Sequence, residues 1–168
     1  MGAGKTAVGT QLAKVLGVGF TDSDDEIVKA ANMSIPEIFA RDGEAFFREK
    51  ESQVLARLLR GAPRVLSTGG GAFLSAQNRA AISAGGVSVW LRADTDLLWA
   101  RVRGRPTRPL LRTADPRGTL EAMNAARAPV YALADLAVDS ASGVSIEDMA
   151  RRVLGVLVGA GHVTEGAQ

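Results

Sequence analysis

Cysteine is absent from the 168 residues, so neither a disulfide framework nor a thiolate metal site can form, and a cytoplasmic location is expected. Histidine occurs once, at His162 in a polar tail, which leaves histidine-based acid–base chemistry without a candidate. No apolar run approaches the roughly 20 residues of a membrane span, and no charged-then-apolar leader opens the chain. No membrane partner is expected. Lysine is scarce, four residues against sixteen arginines, and the formal net charge is only +2. Because the basic residues are interspersed with acidic ones instead of forming a stripe, nucleic acid is not an expected partner either. The 46% hydrophobic content, without an internal repeat, suffices for one core of ordinary domain size.

The chain opens on Met1-Gly2-Ala3-Gly4-Lys5-Thr6, the second half of a phosphate-binding loop of pattern G-x-x-x-x-G-K-[ST]. Such a loop needs glycines so that backbone N–H groups can turn inward around phosphates, a lysine to reach the outer phosphates, and a hydroxyl to hold magnesium. Gly4, Lys5 and Thr6 supply the last three positions. The leading glycine of the pattern would fall two residues ahead of Met1, and the strand feeding the loop further ahead still. We therefore expect the natural protein to begin a strand earlier, and the chain without that strand to be neither stable nor active. After the loop, Val8, Leu12, Val15 and Leu16 recur at helical spacing and Gly17 stops the helix. The hexapeptide also fits a chance glycine-rich start or the myristoylation pattern M-G-x-x-x-[ST], although no polybasic patch follows it.

Short apolar runs predict strands over residues 19–21, 64–67, 87–91 and 136–138. Helical periodicity predicts further helices over 25–31, 35–40, 43–59, 76–83, 95–103, 119–126 and 145–158. Alternating strand and helix means an α/β protein with a parallel sheet and helices on both faces. One domain is expected over 1–158, carrying a lid over about 104–118, with a flexible glycine-rich tail over 159–168.

Asp22-Ser23-Asp24 directly follows the first of these strands, at the carboxyl edge where parallel sheets bind ligands. One acid there can face a metal and the other a substrate hydroxyl, whose proton Asp24 could accept; Asp22 or Ser23 could equally do no more than cap the next helix. Thr68-Gly69-Gly70-Gly71-Ala72 follows the next strand, and three consecutive glycines let a ligand approach the backbone closely or simply make a flexible turn. Arg101 precedes Gly104-Arg105-Pro106-Thr107-Arg108-Pro109-Leu110-Leu111, a proline-flanked arginine loop suited to a lid that closes over phosphates and excludes water.

Together with Gly43-Glu44-Ala45-Phe46-Phe47-Arg48 and Arg127-Ala128-Pro129-Val130-Tyr131, these motifs resemble the shikimate kinase family in order and spacing, from Met1 to about Val158. The resemblance implies a three-layer α/β/α P-loop kinase fold, with five strands in the family and the first missing here. It implies transfer of the γ-phosphate of ATP to the 3-hydroxyl of shikimate, in aromatic amino acid biosynthesis, by a monomer whose partners are shikimate, ATP and Mg2+. Gly2, Ala3, Gly4, Lys5, Thr6 and Ala7 would hold the ATP phosphates, with Arg101 against the nucleotide and Arg108 arriving on the lid. Thr6 and Asp22 would serve the metal. Asp24, Arg48, Gly69, Gly70, Gly71 and Arg127 would bind shikimate, with Asp24, Lys5 and Arg108 catalytic. The alternatives are a gluconate-type small-molecule kinase, which would not need both G-E-x-x-F-R and R-A-P-x-Y, and a non-catalytic ligand-binding domain of the same fold.

Overall fold

The computed structural model describes residues 2–104 and 113–164. Four strands alternate with helices in it: α1 (Lys5–Leu16), β1 (Gly19–Asp22), α2 (Ser23–Ala31), α3 (Ile35–Leu59), β2 (Arg64–Ser67), a single 3-10 turn (Ala72–Leu74), α4 (Ala76–Gly85), β3 (Val89–Arg92), α5 (Thr95–Val102), α6 (Pro116–Tyr131), β4 (Leu136–Asp139) and α7 (Ile146–Gly159). Each strand pairs in parallel. Gly19 faces Arg64 in the register of β1 with β2, and Val89 faces Leu136 in that of β3 with β4.

Adjacent residues of β2 define the layers. Val65 packs into a cluster built by Val8 and Leu12 of α1, Val138 of β4, and Met149, Val153 and Leu157 of α7. Its neighbour Leu66 packs into a second cluster of Ile27, Ile38, Phe47, Val54 and Leu58 from α2 and α3. Successive side chains of a strand point to opposite faces, so helices cover both sides of the sheet. A third cluster, Leu98, Val102 and Leu120, joins α5 to α6. Each fully buried aliphatic side chain contributes about 1.5–3 kcal/mol of transfer free energy, and α1 deserves note because its apolar face serves one whole side of the core.

Several elements differ from the sequence expectation. The parallel sheet is present as two separate two-stranded pairs, with no hydrogen-bonded ladder joining β2 to β3 among the described residues. The two helices expected over 35–40 and 43–59 are both present as the two arms of α3, parted as expected at Gly43, whose φ of 81° and ψ of 174° interrupt the helical path. The helix expected over 119–126 runs to Tyr131, straight through Pro129. A proline forfeits one helical N–H and crowds the preceding turn, but near the last turn that penalty is met by carbonyls that are already close to the helix end. Its other end, Pro116, lies inside the span assigned to the lid, so residues 116–118 belong to α6; residues 105–112 lie outside the described residues.

The expected flexible tail needs correction over its first half. Gly159 is still helical, and Gly161 adopts φ 76° just beyond it. The His162 N–H reaches back to the Leu157 carbonyl at 2.9 Å and the Gly161 N–H to the Val158 carbonyl at 2.9 Å. These two bonds form a Schellman closure, and the glycine takes the left-handed position that the closure requires. Val163 then packs on the α1/α7 cluster.

Candidate active site

The start of α1 differs from the start of the other described α-helices. Asp22, Ser75, Asp94, Asp115 and Ser145 each cap a helix by accepting a backbone N–H, and Ser34 and Glu37 form a capping box on α3. The α1 N-cap is Gly4, which has no side chain to offer, and no acid occupies the first turn. Gly4 takes φ 86° and Gly2 φ 75°, left-handed values that glycine tolerates and other residues resist. The result is an uncapped N-terminus in which consecutive N–H groups and the positive end of the helix dipole are available to an anion. Lys5 is the first residue of that helix and lines the adjoining cleft.

Asp22 closes one side of this cradle. One carboxylate oxygen, Oδ1, accepts the Asp24 N–H at 3.0 Å and so caps α2; the other, Oδ2, accepts from the Thr6 hydroxyl at 3.2 Å. Capping and ligation were alternatives in the sequence, and the geometry allows both at once. A hydroxyl and a carboxylate oxygen beside a phosphate cradle are hard donors of the kind Mg2+ takes, since that ion completes its octahedron with waters and phosphate oxygens. No group of three or more His, Cys, Asp or Glu side chains that could hold a metal occurs among the described residues. The donor set therefore fits a cation delivered with phosphate.

Two residues further on, Asp24 is half-buried and its Oδ1 has no hydrogen-bond partner among the described residues. Burial, followed by the neighbouring Asp22 carboxylate, pushes its carboxyl above the usual range, while Lys5 and Arg48 pull the other way. A Cβ on Gly69 would stand 2.7 Å from Asp24 Oδ1. Gly69 and Gly71 are glycine here because functional side chains press on the backbone: the missing Cβ of Gly71 would collide with the Arg48 guanidinium, 2.6 Å from its Nη2.

Arg48 is held by a residue the sequence reading did not single out. Its Nη1 donates to Glu51 Oε2 at 2.8 Å, and its Nη2 to Glu44 Oε1 at 3.2 Å. Glu51 is only 2% exposed. Burial raises its carboxyl and the Arg48 guanidinium opposes the rise. The available signal was spacing: Glu44, Arg48 and Glu51 recur at i, i+4 and i+7, one face of α3, and that face also carries Leu55. Ser23, 1% exposed, was read in the sequence only as a possible cap; its hydroxyl accepts the Gly69 N–H at 3.4 Å and ties α2 to the glycine loop.

On the opposite wall, a Cβ on Gly70 would lie 3.3 Å from Arg127 Nη1. The glycine loop thus runs between two guanidiniums. Arg101 extends from α5 to donate to the buried Ser140 hydroxyl at 3.1 Å and, more weakly, to the Gly2 and Ala3 carbonyls. Gly2, Ala3, Gly4, Lys5, Thr6, Ala7, Asp22, Asp24, Arg48, Gly69, Gly70, Gly71, Arg101 and Arg127 all line a single cleft of about 1170 Å3. Drug-sized ligands take about 300–1,000 Å3, so this volume suits two ligands side by side. Arg108 lies outside the described residues.

A phosphate cradle on α1, at the carboxyl ends of parallel strands flanked by helices, defines a P-loop α/β protein. The model of the shikimate kinase family matches residues 1–158. A shikimate kinase of Ruegeria pomeroyi is 67% identical over 157 residues, 94% of this chain and 80% of the relative; one from Cereibacter sphaeroides is 68% identical over 153 residues, 91% and 76% respectively. Among solved structures, shikimate kinase from Acinetobacter baumannii in complex with shikimate superposes with a TM-score of 0.86 at 36% identity, covering 95% of this chain and 89% of that one. The chain belongs to the shikimate kinase family. No described helix is long and apolar enough to cross a membrane.

Proposed function

We propose that the protein transfers the γ-phosphoryl group of ATP to the 3-hydroxyl of shikimate, giving shikimate 3-phosphate and ADP as a step of aromatic amino acid biosynthesis. The observation that carries this reading is the single cleft in which an uncapped α1 N-terminus faces, across Asp24 with its unbonded Oδ1, a glycine loop held between Arg48 and Arg127. A small hydroxy acid offers a carboxylate, which the planar fork of arginine binds through parallel hydrogen bonds. One solved relative that superposes on this chain is a shikimate kinase in complex with shikimate.

Each residue of the cleft then has a task. The α1 N–H groups and Lys5 hold the phosphates of ATP, with Arg101 against the rest of the nucleotide. Thr6 and Asp22 would hold Mg2+, which when bound supplies neutralising charge to the β- and γ-phosphate oxygens. Arg48 and Arg127 fix the acid so that its hydroxyl meets Asp24. The Asp24 carboxylate accepts the hydroxyl proton as the new O–P bond forms and the bond from phosphorus to the ADP oxygen breaks; its raised pKa makes it a better acceptor than an ordinary aspartate. Arg108 would come over the transferring group and, with the lid, keep water out, since water would otherwise compete for the phosphoryl group.

Release of ADP from Mg-ATP, followed with shikimate and in parallel with gluconate, tests the assignment. Release that requires shikimate and is not elicited by gluconate is expected. Equal release with both acids, or with neither while ATP still binds, would contradict it.

A further inference from the structure

The three carbonyls of the 3-10 turn that follows the glycine loop are held by two adjacent side chains at the start of α4. Asn78, 2% exposed, donates from Nδ2 to the Ala72 carbonyl at 2.9 Å. Arg79 donates from the single nitrogen Nη1 to the Phe73 carbonyl at 2.8 Å and to the Leu74 carbonyl at 2.9 Å. No backbone N–H reaches these last two carbonyls among the described residues, so Arg79 supplies the donors that so short a turn leaves unfilled. The turn is also bonded back to the glycines: the Ala72 N–H donates to the Gly69 carbonyl at 3.1 Å and the Leu74 N–H to the Gly71 carbonyl at 3.0 Å. At the far end of α4, Gly85 lies against Leu59 of α3, where a Cβ would stand 3.3 Å from the leucine Cβ. α3 also carries Arg48, whose guanidinium presses on Gly71. A closed circuit thus runs from Arg48 through α3 and α4 to the turn and back to Gly71, although neither Asn78 nor Arg79 lines the cleft itself.

We propose that Arg79, with Asn78 beside it, is a positioning residue for the acid substrate: by anchoring the turn to α4, it sets the gap between Gly71 and the Arg48 guanidinium before the acid arrives. The proposal rests on the reading of the cleft as a shikimate site. The gap has no slack, because a single Cβ on Gly71 would come within 2.6 Å of Arg48 Nη2. A guanidinium suits the task, since the two N–H groups on one planar nitrogen reach two successive carbonyls and its charge does not titrate. The phosphate cradle lies on α1, outside this circuit, so the effect falls on the acid and not on ATP.

Arg79→Met keeps an apolar stem and a good helix former and removes the donors. The KM for shikimate is expected to rise about five- to tenfold. Both kcat and the KM for ATP are expected to stay within about twofold of wild type, the split seen when substrate binding alone is weakened. A role confined to holding the start of α4 would lower the melting temperature and leave both KM values alone. Amide hydrogen exchange on the wild type decides the question even where the methionine variant does not fold. The Ala72 and Leu74 amides are expected to exchange slowly before any shikimate is added, as in a turn ordered in advance. A wild type that turns over shikimate, combined with an unchanged shikimate KM in Arg79→Met or with amides protected only once shikimate binds, overturns this proposal alone. A wild type that does not turn over shikimate overturns the reading of the site and the proposal with it.

Discussion

Asp24 sits in a place that disfavours negative charge. Burial and the Asp22 carboxylate raise its pKa, so the folded protein holds this proton more tightly than the unfolded chain does. Its favourable contribution is therefore full below the ordinary aspartate pKa and is lost as pH rises through the raised folded value. Asp24→Asn should raise the melting temperature by about 2–4 °C, the effect of about 1 kcal/mol in a chain of this size, while kcat falls by about 10²–10⁴, the usual contribution of a general base. Thermal melts and steady-state rates on the same preparation check both parts, and a variant that loses stability along with turnover would contradict the assignment. Glu51→Ala makes the complementary case. It would leave Arg48 with only Glu44, whose side chain is 68% exposed, so a stability loss of about 1–3 kcal/mol in urea titration should accompany a raised KM for shikimate. That Asp24, Arg48 and Arg127 would meet at one cleft was legible in the sequence because each sits in a motif with few other uses. Glu51 was not: on paper a glutamate three residues after an arginine looks like an exposed helix pair, and only the packing of α3 shows that it is enclosed.

Among the elements, helix ends were the least legible. The sequence reading ends α6 at residue 126, ahead of Pro129, although a proline near the last turn displaces few hydrogen bonds. The extra turn matters, since it puts Arg127 on a rigid element. The Schellman closure after α7 was hidden for the opposite reason: glycines and polar residues there suggested fraying, whereas Gly161 takes the one conformation that folds the chain back. Gly161→Ala meets open space but a left-handed φ, which costs about 1–2 kcal/mol for a residue with a Cβ. Its melting temperature should drop by about 2–8 °C with both KM values unchanged; an unaffected melting temperature would mean that the closure does not hold the end of α7.

For the molecule as a whole, alternating strands and helices announced an α/β protein with helices on both faces, and Val65 and Leu66 show that arrangement in two adjacent side chains. Which strands pair was not legible, because pairing partners are a tertiary property; that β2 and β3 are each joined to one neighbour and not to each other agrees with the expected unpaired backbone. Both strand pairs nonetheless meet the apolar face of α1, the helix that also presents the phosphate cradle. Packing and nucleotide binding are thereby linked through one element. The central claim is that a single cleft holds two separate recognition devices, a backbone cradle for phosphate and an arginine clamp for a carboxylate. Affinities for ATP and shikimate in Gly4→Ala and Arg127→Ala, compared by calorimetry, test it most directly. Gly4→Ala has room for the methyl, 3.8 Å from Val8, but not the φ, so it should weaken ATP and leave shikimate near wild type; Arg127→Ala should weaken shikimate about tenfold or more and leave ATP near wild type. Equal losses of both ligands in either variant would contradict the account.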